Sequence, residues 1–321
     1  MSQNNTTILH VGIDIAKATF QLHLEGRTEN LPNPRAGQAA CARRLADAAA
    51  ATPGRTLHVI LEATGGYEAA LCAALHAAGR RLSIIQPARV RHFARARANH
   101  AKTDPIDAAV LTAFGEAMRP APTPPPSPAQ SRLAALVGRR AQLVEMRTAE
   151  TLRTEHAGDP LVRRQIRAHL ALRDRQLAQW AREIAAQMAA HAPMKARAAR
   201  VRQVCGVGPL IAAILQAGLP ELGTLAVGEA ASLAGLAPYN RDSGTHQGVR
   251  FIRGGRASVR CALYLAAMSA IRHDRSLRGF YQRLRAAGKL KMVALTAVMR
   301  KLIELLNRLL KNPAFELRGA R

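Results

Sequence analysis

Four acidic residues have the types and positions needed to hold metal ions: Asp14, Glu62, Asp104 and Asp107. Asp14 lies near the end of the apolar run ILHVGIDI, and Glu62 ends the run LHVILE. Asp104 and Asp107 are three residues apart, which places them on one face of a helix. Converging carboxylates suit Mg²⁺, which prefers oxygen ligands and leaves open positions for water and phosphate. The four acids therefore predict a site, holding two Mg²⁺ ions, that acts on phosphodiesters.

Each acid also has a purely structural explanation. Asp14 could be a solvent-facing strand residue, and Glu62 could simply end its strand. Asp104 and Asp107 flank Pro105 as N-cap and N3 residues, a favourable helix start at the positive end of the helix dipole. The four acids together favour the metal site, and Lys102 beside the pair is a candidate phosphate contact.

The elements that must position these acids alternate between strand and helix patterns. We expect strands at 8–15, 18–24, 27–31, 57–62 and 82–86, and helices at 37–51, 67–78, from 87 and from 105. Hairpin strands followed by alternating strands and helices predict an α/β domain with a ribonuclease H-like, or RuvC-like, mixed sheet.

The rest of the chain divides at a proline-rich segment. Residues 119–128 contain six prolines, which favour an extended linker. Residues 130–200 show helical apolar spacing broken near Gly158, which predicts a long helical hairpin of the coiled-coil type. We therefore expect a catalytic domain at 1–120, a linker at 121–130, the hairpin at 131–200 and a mainly helical domain at 201–321.

The charge of the chain indicates a polyanionic partner. Its 47 Lys and Arg outnumber 21 Asp and Glu, which gives a formal net charge of +26. Residues 237–321 alone carry 18 basic and 4 acidic side chains. Such an excess favours nucleic-acid binding, because each cation on a phosphate releases a counterion. The alternative is a solvated basic surface from a compositionally biased genome.

Other features of the composition bear on location. The cysteines at positions 41, 72, 205 and 261 are scattered and show no zinc spacing, which suits a reducing compartment. The sequence contains no run of about 18 uncharged apolar residues, so it predicts no membrane span. The polar start MSQNNTT does not resemble a signal peptide. We expect a cytosolic protein.

Two segments of the C-terminal part are candidates for phosphate chemistry. The glycine turn in VCGVGPLIAAIL resembles a helix–hairpin–helix device, although a plain tight turn explains it equally well. The polar loop that follows carries Ser243, which is either a turn residue or a nucleophile in need of a base or metal. Arginines surround it and are candidate phosphate contacts: Arg241, Arg250, Arg253 and Arg256.

The chain resembles the DEDD transposases of the insertion-sequence one-ten family, relatives of the Piv-type DNA invertases. The blocks GIDIAKATF, LEATGGYE and HAKTDPIDAAVL are similar to the N-terminal signature of this family. The blocks GVGPLIAAIL, LAGLAPYNRDSGTHQGVRFIRGGR and LYLAAMSAIRHDRSLRGFYQRLRAAGKLKMVALTAVMRKL resemble its second domain. The blocks follow the order of the family and span nearly the whole chain.

The resemblance implies a DNA recombinase. It matches the four acids to a RuvC-like Mg²⁺-binding tetrad and Ser243 to a nucleophile that forms a covalent phosphoserine link to DNA. It further implies homo-oligomers guided by a noncoding bridge RNA that pairs with donor and target DNA. Two alternatives remain: a hydrolytic RuvC-like nuclease such as a junction resolvase, and a basic nucleic-acid-binding protein without enzymatic activity.

Overall fold

The computed structural model describes residues 7–97, 104–239, 248 and 250–317, with side chains from residue 8 and, in the second range, from residue 107. The chain forms two compact units, Met1–Pro125 and Pro126–Arg321. The first contains a mixed five-stranded sheet, and the second is mostly helical. This agrees with the expected order of an α/β domain followed by helices.

The sheet of the first unit has β1 at its centre. Its strands are β1 (Thr7–Ile15), β2 (Thr19–Leu24), β3 (Arg27–Pro32), β4 (Arg55–Glu62) and β5 (Arg81–Ile85), in the order β3-β2-β1-β4-β5. The first three strands form an antiparallel meander, and β4 and β5 add in parallel. Glu25 and Gly26 have φ values of 48° and 78°, as a tight two-residue hairpin between β2 and β3 requires.

Helices cover both faces of this sheet. Helices α1 (Arg35–Ala51) and α2 (Ala69–Ala77) share a core with the odd-numbered residues of β1 and β4, such as Ile13 and Leu61. Helices α3 (Pro87–Ala96) and α4 (Asp104–Met118) pack on the opposite face, where Ile60 contributes to a second core. Because successive strand residues alternate between faces, even-numbered residues of β1 and β4 point towards α3 and α4.

The start of the proline-rich segment runs along the outer edge of β5. The Thr123 amide donates to the Leu82 carbonyl oxygen over 2.7 Å, and the Ile84 amide donates to the Thr123 hydroxyl over 3.1 Å. The Ser83 hydroxyl donates to the Ala121 carbonyl over 2.8 Å. These hydrogen bonds cover a strand edge that would otherwise be open to pairing. The first residues of the predicted spacer are therefore attached to the sheet.

The second unit begins with a helical hairpin. Helix α5 (Pro128–His156) starts inside the expected linker because Ser127 caps it through the Gln130 amide, with Pro128 at the first helical position. Helix α6 (Pro160–Ala190) runs antiparallel to it, since Leu133 packs near Met188 while Arg147 pairs with Asp174. The predicted pair of long antiparallel helices is confirmed, whereas coiled-coil packing between them stays a prediction.

Shorter helices complete the second unit. They are α7 (Ala192–Val201), α8 (Pro209–Gly218), α9 (Glu229–Leu233), α10 (Ala257–His273), α11 (Arg275–Ala286) and α12 (Lys291–Lys311), with a two-stranded ribbon of β6 (Pro238–Tyr239) and β7 (Phe251–Ile252). Helices α8, α10 and α12 share one apolar core. Gly206 has φ +89°, and a Cβ there would lie 2.3 Å from the Ala266 carbonyl oxygen, so this turn requires glycine.

Sequence analysis did not anticipate α11. Asp274 caps this helix, because its side chain accepts a hydrogen bond from the Leu277 amide over 2.8 Å, and Leu277 is buried in the core of the unit. The sequence does contain a signal for this helix, an N-cap aspartate followed by apolar residues at helical spacing. The many arginines of the segment obscure that spacing. Among the described residues, no helix is both long enough and apolar enough to span a bilayer.

Candidate active site and comparisons with known proteins

Asp14 and Glu62 lie next to each other where β1 and β4 end. The two strands are parallel, and the last printed pair of their register joins Ile13 to Leu61. Asp14 and Glu62 each follow by one residue, so they continue the same register. Because Ile13 and Leu61 face the α1–α2 core, both carboxylates point to the other face. Both side chains are half-buried.

Helix α4 crosses the same face and brings its first turns to this end of the strands. A Cβ added to Gly12 would lie 2.0 Å from the Ala108 carbonyl oxygen. Further along the helix, a Cβ on Gly115 would lie 2.7 Å from both His10 and Ile60. Helix α4 therefore runs from the carboxylate end of β1 towards the beginning of that strand. Asp107, directly before Ala108, belongs to the turn nearest the two strand carboxylates, and its side chain is half-buried.

The structure thus brings three of the four predicted acids to the same end of the neighbouring strands β1 and β4. Asp104 begins α4, but its side chain and all of Lys102 lie outside the described part of the chain. Among the side chains that are described, no three His, Cys, Asp or Glu residues are arranged to hold a metal ion. The two-ion Mg²⁺ site therefore stays a prediction.

The C-terminal candidates are only partly described. Ser243 and Arg241 lie outside the described residues. The segment that contains them is bracketed by the β6–β7 ribbon, in which Tyr239 pairs with Phe251. The ribbon fixes where this segment leaves and rejoins the second unit.

Two of the predicted arginine contacts are exposed next to this ribbon. Arg250 and Arg253 are both exposed to solvent. The Arg253 guanidinium lies 4.7 Å from the centre of the Tyr239 ring and 6.0 Å from that of Phe251. Cation–π contacts of this kind orient a guanidinium without consuming its hydrogen-bond donors. Arg253 can therefore still bind an anion.

Arg256 instead forms a bidentate ion pair with Glu221. Its two terminal nitrogens donate to the two carboxylate oxygens of Glu221, each over 2.7 Å, and one also donates to the Gly218 carbonyl oxygen over 2.9 Å. Burial is the largest influence on the pKa of Glu221 and acts to raise it. The hydrogen bonds from Arg256, a backbone hydrogen bond and the charges of Arg256 and Arg197 together outweigh burial and leave that pKa below its ordinary value. Arg256 is the N-cap residue of α10, so the ion pair anchors the start of α10 to the loop after α8. Arg256 therefore has a structural role independent of any phosphate.

Two histidines of the sheet were not singled out by sequence analysis. His10 and His58 are paired in the β1–β4 register, and their rings are 5.6 Å apart. Burial, followed by the charges of His10 and Arg81, lowers the pKa of His58 to about 4. His58 Nε2 lies 2.8 Å from the Ser83 hydroxyl. The sequence signal was their position within apolar runs, on the same alternating face as Asp14 and Glu62.

Comparison with known families assigns both halves of the chain. Residues 11–157 match a family model described as "Transposase" and named for the DEDD transposases of IS110. Residues 198–282 match the model described as "Transposase IS116/IS110/IS902 family".

Individual relatives agree with this assignment. A pilin gene-inverting protein of Moraxella bovis is 28% identical over 268 residues, which cover 77% of this chain and 78% of that protein. The Moraxella lacunata protein of the same name is 27% identical over the same shares. An uncharacterised 43.6 kDa protein of insertion element IS110 from Streptomyces coelicolor is 37% identical over 86 residues, 26% of this chain and 21% of that protein.

Fold and family matches together define an enzyme that rearranges DNA. More specifically, the chain belongs to the IS110 family of transposases. The predicted family is therefore confirmed, and an interpretation as a non-enzymatic binding protein does not fit it.

Proposed function

We propose that this transposase cuts, exchanges and rejoins the DNA of its insertion sequence through a RuvC-like carboxylate site and Ser243. The proposal rests chiefly on the β1–β4 register, which sets Asp14 beside Glu62 under the first turns of α4. The sheet has the hairpin-first order expected of a RuvC-like domain. The name of the Moraxella relatives, which invert a pilin gene, supports recombination as the outcome.

The carboxylates of the first unit suit Mg²⁺. Asp14, Glu62 and Asp107 offer only hard oxygen donors, and Asp104 lies one helical turn before Asp107. When bound, a pair of Mg²⁺ ions would stabilise the attacking and leaving oxygens of a phosphodiester. The sheet holds Asp14 and Glu62 on one side of the proposed site, and α4 carries Asp107 on the other side. Lys102 and the exposed Arg250 and Arg253 hold phosphates of the substrate.

Ser243 is the proposed nucleophile. Its hydroxyl oxygen attacks a phosphorus atom of the DNA backbone, a phosphoserine ester forms, and the released sugar oxygen takes the proton. Attack on that ester by a sugar hydroxyl of another strand reverses the step and restores the serine. Since each step exchanges one phosphate ester for another, the strands can be rejoined without ATP.

We further propose that a bridge RNA selects the DNA sites and that the enzyme works as a homo-oligomer in the bacterial cytoplasm. If base pairing supplies sequence recognition, the protein needs mainly contacts to phosphate backbones. The charge of +26 and the low share of aromatic residues, 3%, suit that division of tasks. Such a composition favours phosphate contacts over the stacking of unpaired bases.

The proposal is tested by detecting excised circles in cells that carry the gene with its native flanking DNA. Junction PCR would compare wild type, Asp14→Asn and Ser243→Ala with two matched controls, Asp47→Asn and Ser258→Ala, both at exposed positions. Circles are expected from wild type and both controls only. Circles from Ser243→Ala would rule out the covalent mechanism and favour the alternative of a hydrolytic nuclease of the junction-resolvase type. Circles from Asp14→Asn would show that excision does not depend on the proposed carboxylate site.

A further inference from the structure

The turn between α11 and α12 exposes apolar side chains at its tip. Leu290, Met292 and Val293 are 72%, 57% and 49% exposed, and Lys289 and Lys291 lie among them. Elsewhere the two helices bury their apolar residues: Leu277 of α11 and the inner face of α12 belong to the core of the unit. The exposed tip is therefore a local feature of the turn, whose helices are otherwise well packed.

The segment around this turn carries only positive charge. Between Asp274 and Glu304 the sequence contains no acidic residue. It contains eight basic residues, all exposed: Arg275, Arg278, Arg283, Arg285, Lys289, Lys291, Arg300 and Lys301. Within the described part of the chain, none of the eight is in an ion pair with a carboxylate. Such a surface attracts a polyanion.

Hydrogen bonds hold the turn in one conformation. Gly288 has φ +76°, its amide donates to the Arg285 carbonyl oxygen over 3.1 Å, and the Lys289 amide donates to the Leu284 carbonyl oxygen over 3.0 Å. This is the Schellman arrangement that closes a helix with glycine. The Arg285 guanidinium also donates to the Lys289 carbonyl oxygen over 2.6 Å. Leu290 is therefore presented at a fixed position.

The residues at the tip are poor choices for helix stability. Leu290 is the N-cap of α12 and makes no capping hydrogen bond, whereas Ser, Asp or Asn at that position would satisfy a free amide. The first turn of α12 contains Lys291 and no acid, at the positive end of the helix dipole. Local choices that oppose stability concentrate at functional positions.

We propose that the α11–α12 turn is a wedge that inserts Leu290 between base pairs of duplex DNA, while the surrounding lysines and arginines hold the phosphates. Proteins that enter the minor groove commonly insert Leu or Met side chains at a base step and partly unstack it. The wedge would begin the strand opening that strand exchange requires. The inference rests on the proposed function only in taking DNA as the substrate, and involves neither the carboxylate site nor Ser243.

Two other partners fit the surface less well. A two-fold contact between copies of the chain would set the eight cations against the same eight cations. A membrane surface would require a free apolar helix face, but α11 buries Leu277 and packs Phe280 and Tyr281 against the core. Duplex DNA offers both the negative charge and an apolar interior of stacked bases.

The test measures base unstacking separately from binding and cleavage. Duplexes with 2-aminopurine at a TA step, which unstacks easily, are titrated with the full-length protein in EDTA so that no strand is cut. Wild type and Ser243→Ala should both raise the fluorescence at saturation. Leu290→Ser should bind within about threefold of wild type, keep an equal or higher Tm, and lose the rise. The matched control Val227→Ser, at a residue that is 98% exposed, should retain it.

Charge and partner controls complete the experiment. Lys289→Gln combined with Lys291→Gln should weaken binding and reduce the slope of log affinity against log salt by about 2. A fluorescence rise that survives in Leu290→Ser, or no rise with wild type, would overturn the wedge. So would a Leu290→Ser defect confined to self-association in sedimentation, or to binding of anionic lipid vesicles. Because cleavage is not measured, failure of the Ser243 mechanism would leave this result unchanged.

Discussion

Gly12 and Ala108 are in backbone contact, since a Cβ on Gly12 would lie 2.0 Å from the Ala108 carbonyl oxygen. This contact sets the distance between β1 and α4. It lies two residues before Asp14 and one residue after Asp107. The spacing of the candidate carboxylate site therefore depends on the absence of a side chain at position 12.

Gly12→Ala should displace α4 and abolish excision. Overpacking of this kind costs about 1–3 kcal/mol of unfolding free energy, which urea denaturation would measure. Gly138→Ala is the control, because Gly138 lies in α5 with no atom near its missing Cβ. That substitution should be neutral or stabilising, since alanine favours helix. Wild-type excision by Gly12→Ala would contradict the dependence on this contact.

Neutralising the acids at the ends of β4 and α4 should remove metal binding together with activity. We expect Glu62→Gln and Asp107→Asn each to lower excision at least 100-fold and to eliminate saturable Mn²⁺ binding, measured by calorimetry, because each removes an oxygen ligand. Asp47→Asn, at an exposed position on α1, should change neither. If Glu62→Gln bound Mn²⁺ as wild type does, Glu62 would not be a metal ligand and would simply end its strand.

The Arg256–Glu221 pair should contribute to stability, and its two members should be coupled. Arg256→Ala and Glu221→Gln should each lower the unfolding free energy by about 1 kcal/mol, since the pair is two-pronged but partly exposed. The double variant should cost little more than either single one. Additive losses in this double-mutant cycle would show that the pair is not coupled.

The buried histidines should make the protein less stable in acid. His58 has a pKa of about 4 in the folded protein and 6.5 as its ordinary value, so unfolding favours the protonated form. Its contribution to stability is complete above pH 6.5 and is lost as the pH falls from 6.5 towards 4. His58→Gln should show a smaller loss of urea stability between pH 7 and pH 4.5 than wild type. The exposed His156→Gln should follow wild type.

The arrangement of the strand carboxylates could be predicted from sequence, because it depends on local patterns. Asp14 and Glu62 each end an apolar run, and parallel strands bring such ends together. The Asp-Pro-Ile-Asp start of α4 carries its own capping signal. The contact that fixes α4 over the sheet could not be foreseen, since nothing in the sequence near Gly12 points to Ala108.

Local sequence patterns did not predict the long-range pairings or helix α11. The partner of Arg256 is Glu221, 35 residues earlier, so its sequence neighbourhood indicated only a phosphate contact. The pairing of Thr123 with the edge of β5 was hidden by the surrounding prolines, which do not donate to a sheet. Helix α11 was overlooked because its arginines obscure the apolar spacing that begins at Leu277. Each of these features depends on tertiary packing.

The most direct test of the central claim is recovery of a covalent DNA–protein adduct. Cells carrying the gene with its native flanks would be lysed under denaturing conditions, and nuclease-trimmed, DNA-linked peptides would be sequenced by mass spectrometry. We predict a nucleotide attached to Ser243 in wild type, and no adduct in Ser243→Ala or Asp14→Asn. Excision without any adduct at Ser243, or an adduct at another residue, would contradict the proposed mechanism.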